Sequence, residues 1–365
     1  MESPFGKSTK GQIVHKKWMI YGATGYTGKL IVAEALKRGL SPVLAGRNAE
    51  KLAALVEGSA LEYRAFDLSK RVEIAEHLKD IEVLLHCAGP FSATAKPMMA
   101  ACLHSQTHYL DITGEIDVFR HGKQLDKSAK TAGIIICPGV GFDVIPTDCL
   151  AATLKAEMPD AKSLWLGFSS SSSFSPGTAK TSVEGLASGG KVRREGAIIT
   201  VPLAYKVRQI DFGDGVRNAT TIPWGDVATA FYSTAIPNIE VYIPMSEAKV
   251  KQLRRMDRLR SIFAWQWVQR FLKKKIEAKV QGPNESKRLK SSTYVWGEVV
   301  NSQGDVKTAR LVTANGYDLT VTGSLGIVDY LINKEHTFTG FQTASSLMGA
   351  NYVCTLPGSS EITLS

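Results

Sequence analysis

The sequence holds few features of a secreted, membrane-spanning or disulfide-bonded protein. Its 365 residues include only five cysteines, an odd number without a CxxC pair, so we expect buried, reduced thiols. No uninterrupted apolar run is long enough to span a membrane. Residues 1–16 lack the apolar core of a secretory signal and are predicted to form a flexible arm. These absences predict a soluble, cytoplasmic protein.

Two further absences narrow the functional classes. The formal charge is +10, but no nucleic-acid-binding module and no interleaving of aromatic with basic residues is present. We therefore expect no nucleic acid partner, and the positive charge suits an anionic ligand such as a phosphorylated cofactor. His104 and His108 have a metal-ligand spacing, but a strand begins between them and no third ligand is placed, so no metal is expected.

The first 150 residues alternate strand and helix patterns at short spacing, which predicts a Rossmann-type, doubly wound parallel sheet of the α/β class. The predicted strands are Trp18–Tyr21, Pro42–Ala45, Leu61–Ala65, Val83–Cys87, His108–Asp111 and Gly133–Cys137. The predicted helices are Gly28–Arg38, Ala49–Val56, Arg71–Leu78, Thr94–His104 and Glu115–Thr131. Residues 17–150 should therefore form a dinucleotide-binding domain.

The pattern changes after this domain. Residues 151–334 are predicted to form a second α+β domain with a mixed sheet for substrate binding and dimerisation, and residues from about 335 to 365 to pack back on the first domain. The elements predicted after residue 150 are β-rich stretches at Ile198–Ile210 and Ala228–Ile243, a basic helix at Ser246–Lys275, a hairpin of Tyr294–Val300 with Thr308–Thr322, and a helical tail from Gly323.

A glycine-rich turn joins the first predicted strand to the first helix. Its glycines would let the chain turn off the strand, let the backbone approach a diphosphate, and let the helix lie close on the sheet. The amide groups at the helix start would face the phosphates. We assign cofactor binding to Gly22, Thr24, Gly25, Tyr26, Thr27 and Gly28.

The residues after the second and third strands concern the choice of cofactor. An acid after the second strand would bind the ribose 2′-hydroxyl of NAD, but this chain has Arg47 and Asn48 there. A guanidinium suits a 2′-phosphate, which predicts NADP, with NADPH preferred over NADH. Asp67 follows the third strand and is either an adenine contact or the N-cap of the next helix.

Five segments carry a family resemblance: Gly22–Gly28, Leu44–Asn48, Cys87–Phe91, Tyr109–Glu115 and Pro138–Asp148. Together they resemble the saccharopine dehydrogenase-like oxidoreductases, in particular the branch that includes the trans-acting enoyl reductases. The resemblance implies a Rossmann domain, a second mixed-sheet domain that carries the substrate, a nicotinamide cofactor and a homodimer. It does not fix the substrate.

The loops after the later strands hold further candidate residues, because ligands of open α/β sheets lie at the carboxyl ends of the strands. The small residues Ala88, Gly89 and Pro90 would let the cofactor pass. Asp143, Glu115 and Asp111 are the candidate catalytic acids. The structural alternatives are that Asp143 is the N-cap of the helix containing Pro146–Leu154, and that Thr113 caps the helix after the fifth strand while Glu115 adds a favourable charge at its start.

The serine-rich loop of the second domain ends at Gly177 and Thr178, whose amide groups are candidates for binding a substrate carboxylate or thioester oxygen. The alternative is that the Thr178 hydroxyl only caps the helix that follows.

Two functions compete at this point. The favoured one is an NADPH-dependent oxidoreductase that transfers a hydride to a C=O, C=N or activated C=C of a small-molecule substrate. The alternative is a cofactor-binding peripheral membrane or scaffold protein with little turnover, because residues 254–275 are basic and carry tryptophan and phenylalanine. We prefer to interpret that segment as a helix that buries Ile262, Trp265, Val268 and Leu272 on the second domain or a dimer partner.

Overall fold

A seven-stranded parallel sheet organises the first part of the chain. The computed structural model describes residues 17–170, 185, 187–263, 265, 267–271, 288 and 291–365. The strands are β1 (Lys17–Tyr21), β2 (Val43–Gly46), β3 (Tyr63–Ala65), β4 (Ile81–His86), β5 (His108–Asp111), β6 (Ile135–Cys137) and β15 (Gly340–Phe341). They lie side by side in the order β15-β6-β5-β4-β1-β2-β3. Every pairing is parallel, which confirms the predicted fold class.

Helices connect these strands because each parallel crossover must return over a face of the sheet. They are α1 (Tyr26–Lys37), α2 (Ala49–Val56), α3 (Arg71–Leu78), α4 (Phe91–Ser105), α5 (Ile116–Gln124) and α6 (Asp126–Ala132). The predicted single helix over Glu115–Thr131 is in fact two, which meet at Leu125. Helices on both faces explain why β4 and β6 are buried along almost their whole length.

A second, nine-stranded sheet is mixed, as predicted. Within the described residues, the strand pairing of 238–242 with 163–167 is parallel, and the other neighbouring strands are antiparallel. Its strands are β7 (Ser163–Ser170), β8 (Gly190–Arg194), β9 (Ala197–Val201), β10 (Val207–Asp211), β11 (Val216–Ile222), β12 (Asn238–Pro244), β13 (Ser292–Val300), β14 (Val306–Ala314) and β16 (Thr363–Leu364).

The helices of this second part differ most from the prediction. They are α7 (Ile145–Glu157), α8 (Asp226–Thr234), α9 (Glu247–Asp257), α10 (Arg260–Phe263), α11 (Gly316–Asn333) and α12 (Ala344–Met348). The start of the predicted β-rich stretch Ala228–Ile243 is helical, and only its end forms a strand. The second hairpin strand, predicted to run to Thr322, ends at Ala314 in the structure. Helix α11 then begins at Gly316, whereas the helical tail was predicted from Gly323.

Helices α7 and α11 connect the two sheets. The predicted domain boundary at residue 150 falls inside α7, which packs on β13, β14 and α8 of the second sheet. Helix α11, placed by the prediction in residues 151–334, packs on α1 and β4 of the first sheet. As a result one buried apolar cluster runs from Ile20 of the first sheet to Val241 of the second.

The basic segment after β12, predicted as one helix over Ser246–Lys275, is an interrupted helix in the described residues, and residues 267–271 are helical again. Helix α9 ends at Asp257, and the four-residue α10 follows. Ile262 and Trp265 are exposed in the single chain, so the predicted packing of these two side chains on the second domain is wrong. Their burial on a dimer partner stays a prediction. Val268 is half-buried, and Leu272 lies outside the described residues. No helix in the described part of the chain has the length and apolarity needed to cross a membrane.

Candidate active site

The glycine-rich turn between β1 and α1 has the tight geometry that a dinucleotide loop needs. Gly22 has a positive φ of 91°, and a Cβ there would lie 2.8 Å from the backbone nitrogen of Ala88. A Cβ on Gly28 would lie 2.2 Å from the carbonyl oxygen of Gly22. A Cβ on Gly25 would meet only the same carbonyl oxygen, at 3.2 Å. Gly22 and Gly28 are therefore required by packing, whereas Gly25 leaves room beside the helix start.

Among the helices that begin at the carboxyl ends of the first sheet's strands, α1, α2 and α4 are capped differently. The amide of Lys51 in α2 donates to the side chain of Asn48. The start of α4 donates two amides to the Glu115 carboxylate, from Phe91 at 2.9 Å and Ser92 at 2.7 Å. Helix α1 has neither a side-chain cap nor an acidic residue in its first turn. The amino end of α1 therefore fits a diphosphate, because its amides and its helix dipole favour an anion there.

The residues assigned to the adenosine end lie at the edge formed by β2 and β3. Arg47 directly follows β2 and is exposed. Asp67 follows β3, and Arg47 lies close enough to contribute to lowering its pKa, after the hydrogen bonding of Ser69. Asp67 is not the N-cap of α3, which is Lys70; instead its carboxylate accepts the Ser69 amide. Asn48 keeps its predicted position beside Arg47, but its oxygen is used to cap α2.

Hydrogen bonds join the loops that follow β4, β5 and β6 at one edge of the sheet. Glu115, after β5, binds the start of α4, directly after the turn of Ala88, Gly89 and Pro90. The Thr94 hydroxyl closes that turn by donating to the carbonyl of Ala88 at 2.8 Å. Thus the loops predicted to border the nicotinamide lie together.

Asp111, the last residue of β5, also links the loops that follow β5 and β6. It is fully buried, and its carboxylate accepts hydrogen bonds from the Tyr109 hydroxyl and from the amides of Thr113 and Gly139. Burial raises the pKa of Asp111 to about 6, while these three donors oppose the shift. With its oxygens occupied inside the protein, Asp111 fits a structural role better than proton transfer.

Asp143 differs from the other two candidate acids because its carboxylate accepts no hydrogen bond from the described residues. A Cβ on Gly114 would lie 2.8 Å from Asp143 Oδ2, which shows how closely the loops after β5 and β6 approach. Burial, and then the nearby Glu115 charge, raise the pKa of Asp143 to about 7. The side chain is still partly exposed. It is therefore an accessible carboxyl that is partly protonated at neutral pH.

The second sheet reaches this edge through an aromatic wall formed by Phe142, Phe168 and Trp224. The Phe142 and Phe168 rings lie 5.3 Å apart, and those of Phe168 and Trp224 lie 4.8 Å apart. Trp224 Nε1 donates to the Asp143 carbonyl at 2.8 Å and so fixes the backbone of the candidate acid. Sequence reasoning missed Trp224, although a Pro-Trp-Gly turn directly before a helix is a usable indication of a special junction.

A second contact from the later part of the chain reaches the glycine-rich turn itself. The Arg288 guanidinium donates to the Tyr26 hydroxyl at 3.2 Å and pairs with Asp318 of α11. The Tyr26 ring also meets the Tyr317 ring edge to face, with centroids 5.1 Å apart. Tyr26 and Arg288 are far apart in sequence, so no local pattern could reveal this contact.

The remaining sequence candidates are a glycine–threonine pair and two histidines. Gly177 and Thr178 lie outside the described residues. His104 belongs to α4 and His108 to β5, and no group of three metal-ligating side chains occurs in the described part of the chain.

Comparison with known proteins identifies the domain that carries this edge. Residues 18–137 match the family model described as "Saccharopine dehydrogenase NADP binding domain". This stretch of the first domain is similar to that family. The match spans β1 to β6, with the glycine-rich turn, Arg47 and the loops up to Cys137. Asp143 and the aromatic wall lie beyond it.

Curated relatives of this saccharopine dehydrogenase-like domain match over a similar stretch. A saccharopine dehydrogenase-like oxidoreductase of Bos taurus is 30% identical over 151 residues, which cover 36% of this chain and 35% of the relative. A trans-acting enoyl reductase of Mycobacterium bovis is 32% identical over 138 residues, covering 36% of this chain and 33% of the relative. The alignments thus span about a third of each of these relatives.

The fold extends further than this sequence similarity. The structure of the apo, L-Glu-forming saccharopine dehydrogenase of Saccharomyces cerevisiae superposes with a TM-score of 0.66, over 96% of this chain and all of that one. The sequences are 11% identical in that comparison. The two-sheet architecture is therefore shared by both proteins.

Proposed function

We propose that this protein is an NADPH-dependent oxidoreductase whose reaction takes place where the second sheet meets the carboxyl edge of the first. The observation that carries the proposal is the uncapped start of α1 behind a turn in which Gly22 and Gly28 admit no side chain, within a stretch that matches a saccharopine dehydrogenase NADP-binding domain. Backbone amides of the turn would hold the diphosphate. Arg47 would bind a 2′-phosphate, which supports NADPH over NADH.

Asp143 is the proposed proton donor. A bound nicotinamide would supply the hydride to one atom of the substrate double bond. The Asp143 carboxyl would deliver the proton that completes the reduction, and its partial exposure lets it regain a proton from water. Glu115, held by the start of α4, would keep Asp143 protonated through its charge.

The substrate class follows from the surroundings of this carboxyl. We propose a C=O, C=N or activated C=C group attached to an apolar portion. Phe142 and Trp224 are half-buried beside Asp143 and would contact that portion. The trans-acting enoyl reductase among the relatives supports including an activated C=C. Gly177 and Thr178 stay predictions for the polar end of the substrate.

Nucleotide titration followed by turnover tests the proposal. Protein fluorescence is titrated with NADPH and NADH for the wild type, Arg47→Asp and the control Lys37→Asp, which removes an equal charge from an exposed site on α1. Charge-assisted phosphate contacts predict a loss of about ten- to a hundredfold in NADPH affinity for Arg47→Asp only. Equal losses in both variants would contradict the role of Arg47.

Turnover is then measured as NADPH oxidation against ketones, cyclic imines and enoyl thioesters of increasing chain length. Tight NADPH binding without oxidation of any class would favour the binding protein with little turnover. Dimerisation and a cytoplasmic location stay predictions. Support for the location comes from the five cysteines, which are all free thiols.

A further inference from the structure

Five of the large apolar side chains that are exposed in the described part of the chain lie close together in sequence, within residues 259–271. Trp265 is 54% exposed and Trp267 is 61% exposed, and their ring centroids lie 6.0 Å apart. The other large exposed members of this group, which we call the tryptophan patch, are Leu259, Ile262 and Phe271. Single exposed apolar residues need no explanation, but a cluster that includes two tryptophans indicates a binding surface.

Helix α9 fixes the base of this patch to the second domain. Val250 is buried beneath the helix. The Asp257 carboxylate accepts the Leu203 amide at 3.1 Å, and the Arg254 guanidinium donates to the Ala204 carbonyl at 3.0 Å. The segment that follows Asp257 therefore projects from an anchored helix.

The charge around the patch has one predominant sign. Described residues of the segment 246–271 include only two acids, Glu247 and Asp257, and Asp257 is engaged with Leu203. The basic residues of the same described stretch are Lys249, Lys251, Arg254, Arg255, Arg258, Arg260 and Arg270. Arg255 and Arg258 are exposed beside Leu259.

We propose that the tryptophan patch and its basic flank dock the protein on a membrane surface that contains anionic phospholipids. Tryptophan rings favour the boundary between headgroups and acyl chains, where one side of the ring is apolar and the other is hydrated. Arginines next to them would meet the negative headgroups. An excess of positive charge beside the rings suits a surface of uniform negative charge, such as anionic headgroups. With no spanning helix in the described residues, the protein would lie on the membrane rather than cross it.

Vesicle co-sedimentation tests the charge requirement. The full chain is mixed with vesicles of phosphatidylcholine alone or with about a quarter phosphatidylserine, and tryptophan emission is recorded in parallel. We expect binding and a blue shift only with phosphatidylserine, with both reduced as salt rises above about 0.1 M. Binding that is equal for the two compositions would overturn the charge part of the proposal.

Paired variants test the residues. Trp265→Ser with Trp267→Ser should weaken vesicle affinity at least about tenfold, because the lost apolar burial is large. Tyr63→Ser with Val72→Ser removes exposed apolar groups elsewhere and should have no effect. Arg255→Glu with Arg258→Glu should weaken binding by at least about fivefold per residue, whereas Lys37→Glu with Lys127→Glu should change it little.

Light scattering shows whether the tryptophan patch binds a second copy of the chain instead of a membrane. The proposal expects the same mass for the wild type and the double tryptophan variant, and unchanged NADPH affinity as a check of folding. A dimeric wild type that becomes monomeric in the variant, with no vesicle binding by either, would overturn the proposal and assign the patch to dimerisation.

Discussion

At the scale of single residues, the environment of each carboxyl decides what it can do. Asp143→Asn should lower kcat by about a hundredfold or more, the usual contribution of a general acid, and should leave NADPH affinity unchanged. Because burial raises the pKa of Asp143 to about 7, the protonated donor is lost as pH rises. Turnover of the wild type should therefore fall as pH increases through about 7. Stopped-assay rates over a pH series give this profile.

Glu115→Gln provides the matched test of that assignment. The Glu115 charge is the second cause that raises the pKa of Asp143, so its removal should move the alkaline fall in turnover to lower pH. The glutamine can still accept an amide from the start of α4. A pH profile identical to that of the wild type would show that the Glu115 charge does not keep Asp143 protonated.

Asp226 gives a prediction about stability rather than activity. It is fully buried at the start of α8, and no described group hydrogen-bonds to its oxygens. Burial raises its pKa well above the usual value, so the folded state holds a proton that the unfolded state releases above about pH 4. This difference lowers the stability as pH rises. Asp226→Asn should therefore raise Tm more at about pH 8 than at about pH 5.

Asp148→Asn is the control, because Asp148 is equally buried but its oxygens accept the Ser345 amide and the Ser233 hydroxyl. The asparagine nitrogen would face one of these donors, so this variant should be less stable than the wild type at both pH values. A gain in Tm for Asp148→Asn that equals the gain for Asp226→Asn would contradict the distinction.

At the scale of elements, the start of α1 allows ligand binding and folding to be separated. Gly25→Val should leave the protein folded but abolish NADPH binding, since the side chain would occupy the space beside the helix start. Gly28→Val should prevent folding, because its Cβ would lie 2.2 Å from the Gly22 carbonyl oxygen. Circular dichroism and nucleotide titration distinguish the two outcomes. A folded Gly25→Val that binds NADPH normally would leave the turn without a ligand.

The accuracy of the sequence prediction also differs between elements. In the first sheet, α2, α3 and β5 have the predicted bounds, because regular alternation and short connections constrain them. In the second part, residues 320–322 are Thr-Val-Thr, which favours a strand in isolation. Asn315 decides otherwise: its side chain accepts the amides of Tyr317 and Asp318 and starts α11. Tertiary packing against α1 then overrides the local β preference.

The sequence allowed us to predict where the candidate site lies, but not which role each of its carboxyl groups has. The rule that ligands lie at the carboxyl ends of parallel strands located the three loops. It could not show that Glu115 caps α4, because that contact joins residues more than twenty positions apart. Nor could it separate Asp111, whose oxygens are occupied, from Asp143, whose oxygens are not.

At the scale of the whole molecule, the end of the chain holds both sheets together. Residues 340–341 form β15 on the first sheet, residues 363–364 form β16 on the second, and Leu347 and Val353 are buried between them. Removal of residues 339–365 should yield an unfolded or aggregated protein. Removal of only residues 361–365 loses one short edge strand and should lower Tm by a few degrees. Thermal melts of both shortened chains test these expectations. Cooperative unfolding of the chain that lacks residues 339–365 would contradict them.

The position of β15 also has a consequence for biosynthesis. Strand β6 leaves the ribosome at residue 137, but its partner at residues 340–341 is made only after the entire second sheet except β16. At 5–20 residues per second this interval is about 10–40 s, during which β6 presents an unpaired edge to other nascent chains. The first domain is therefore expected to need protection by chaperones during translation, although the finished protein hides that edge.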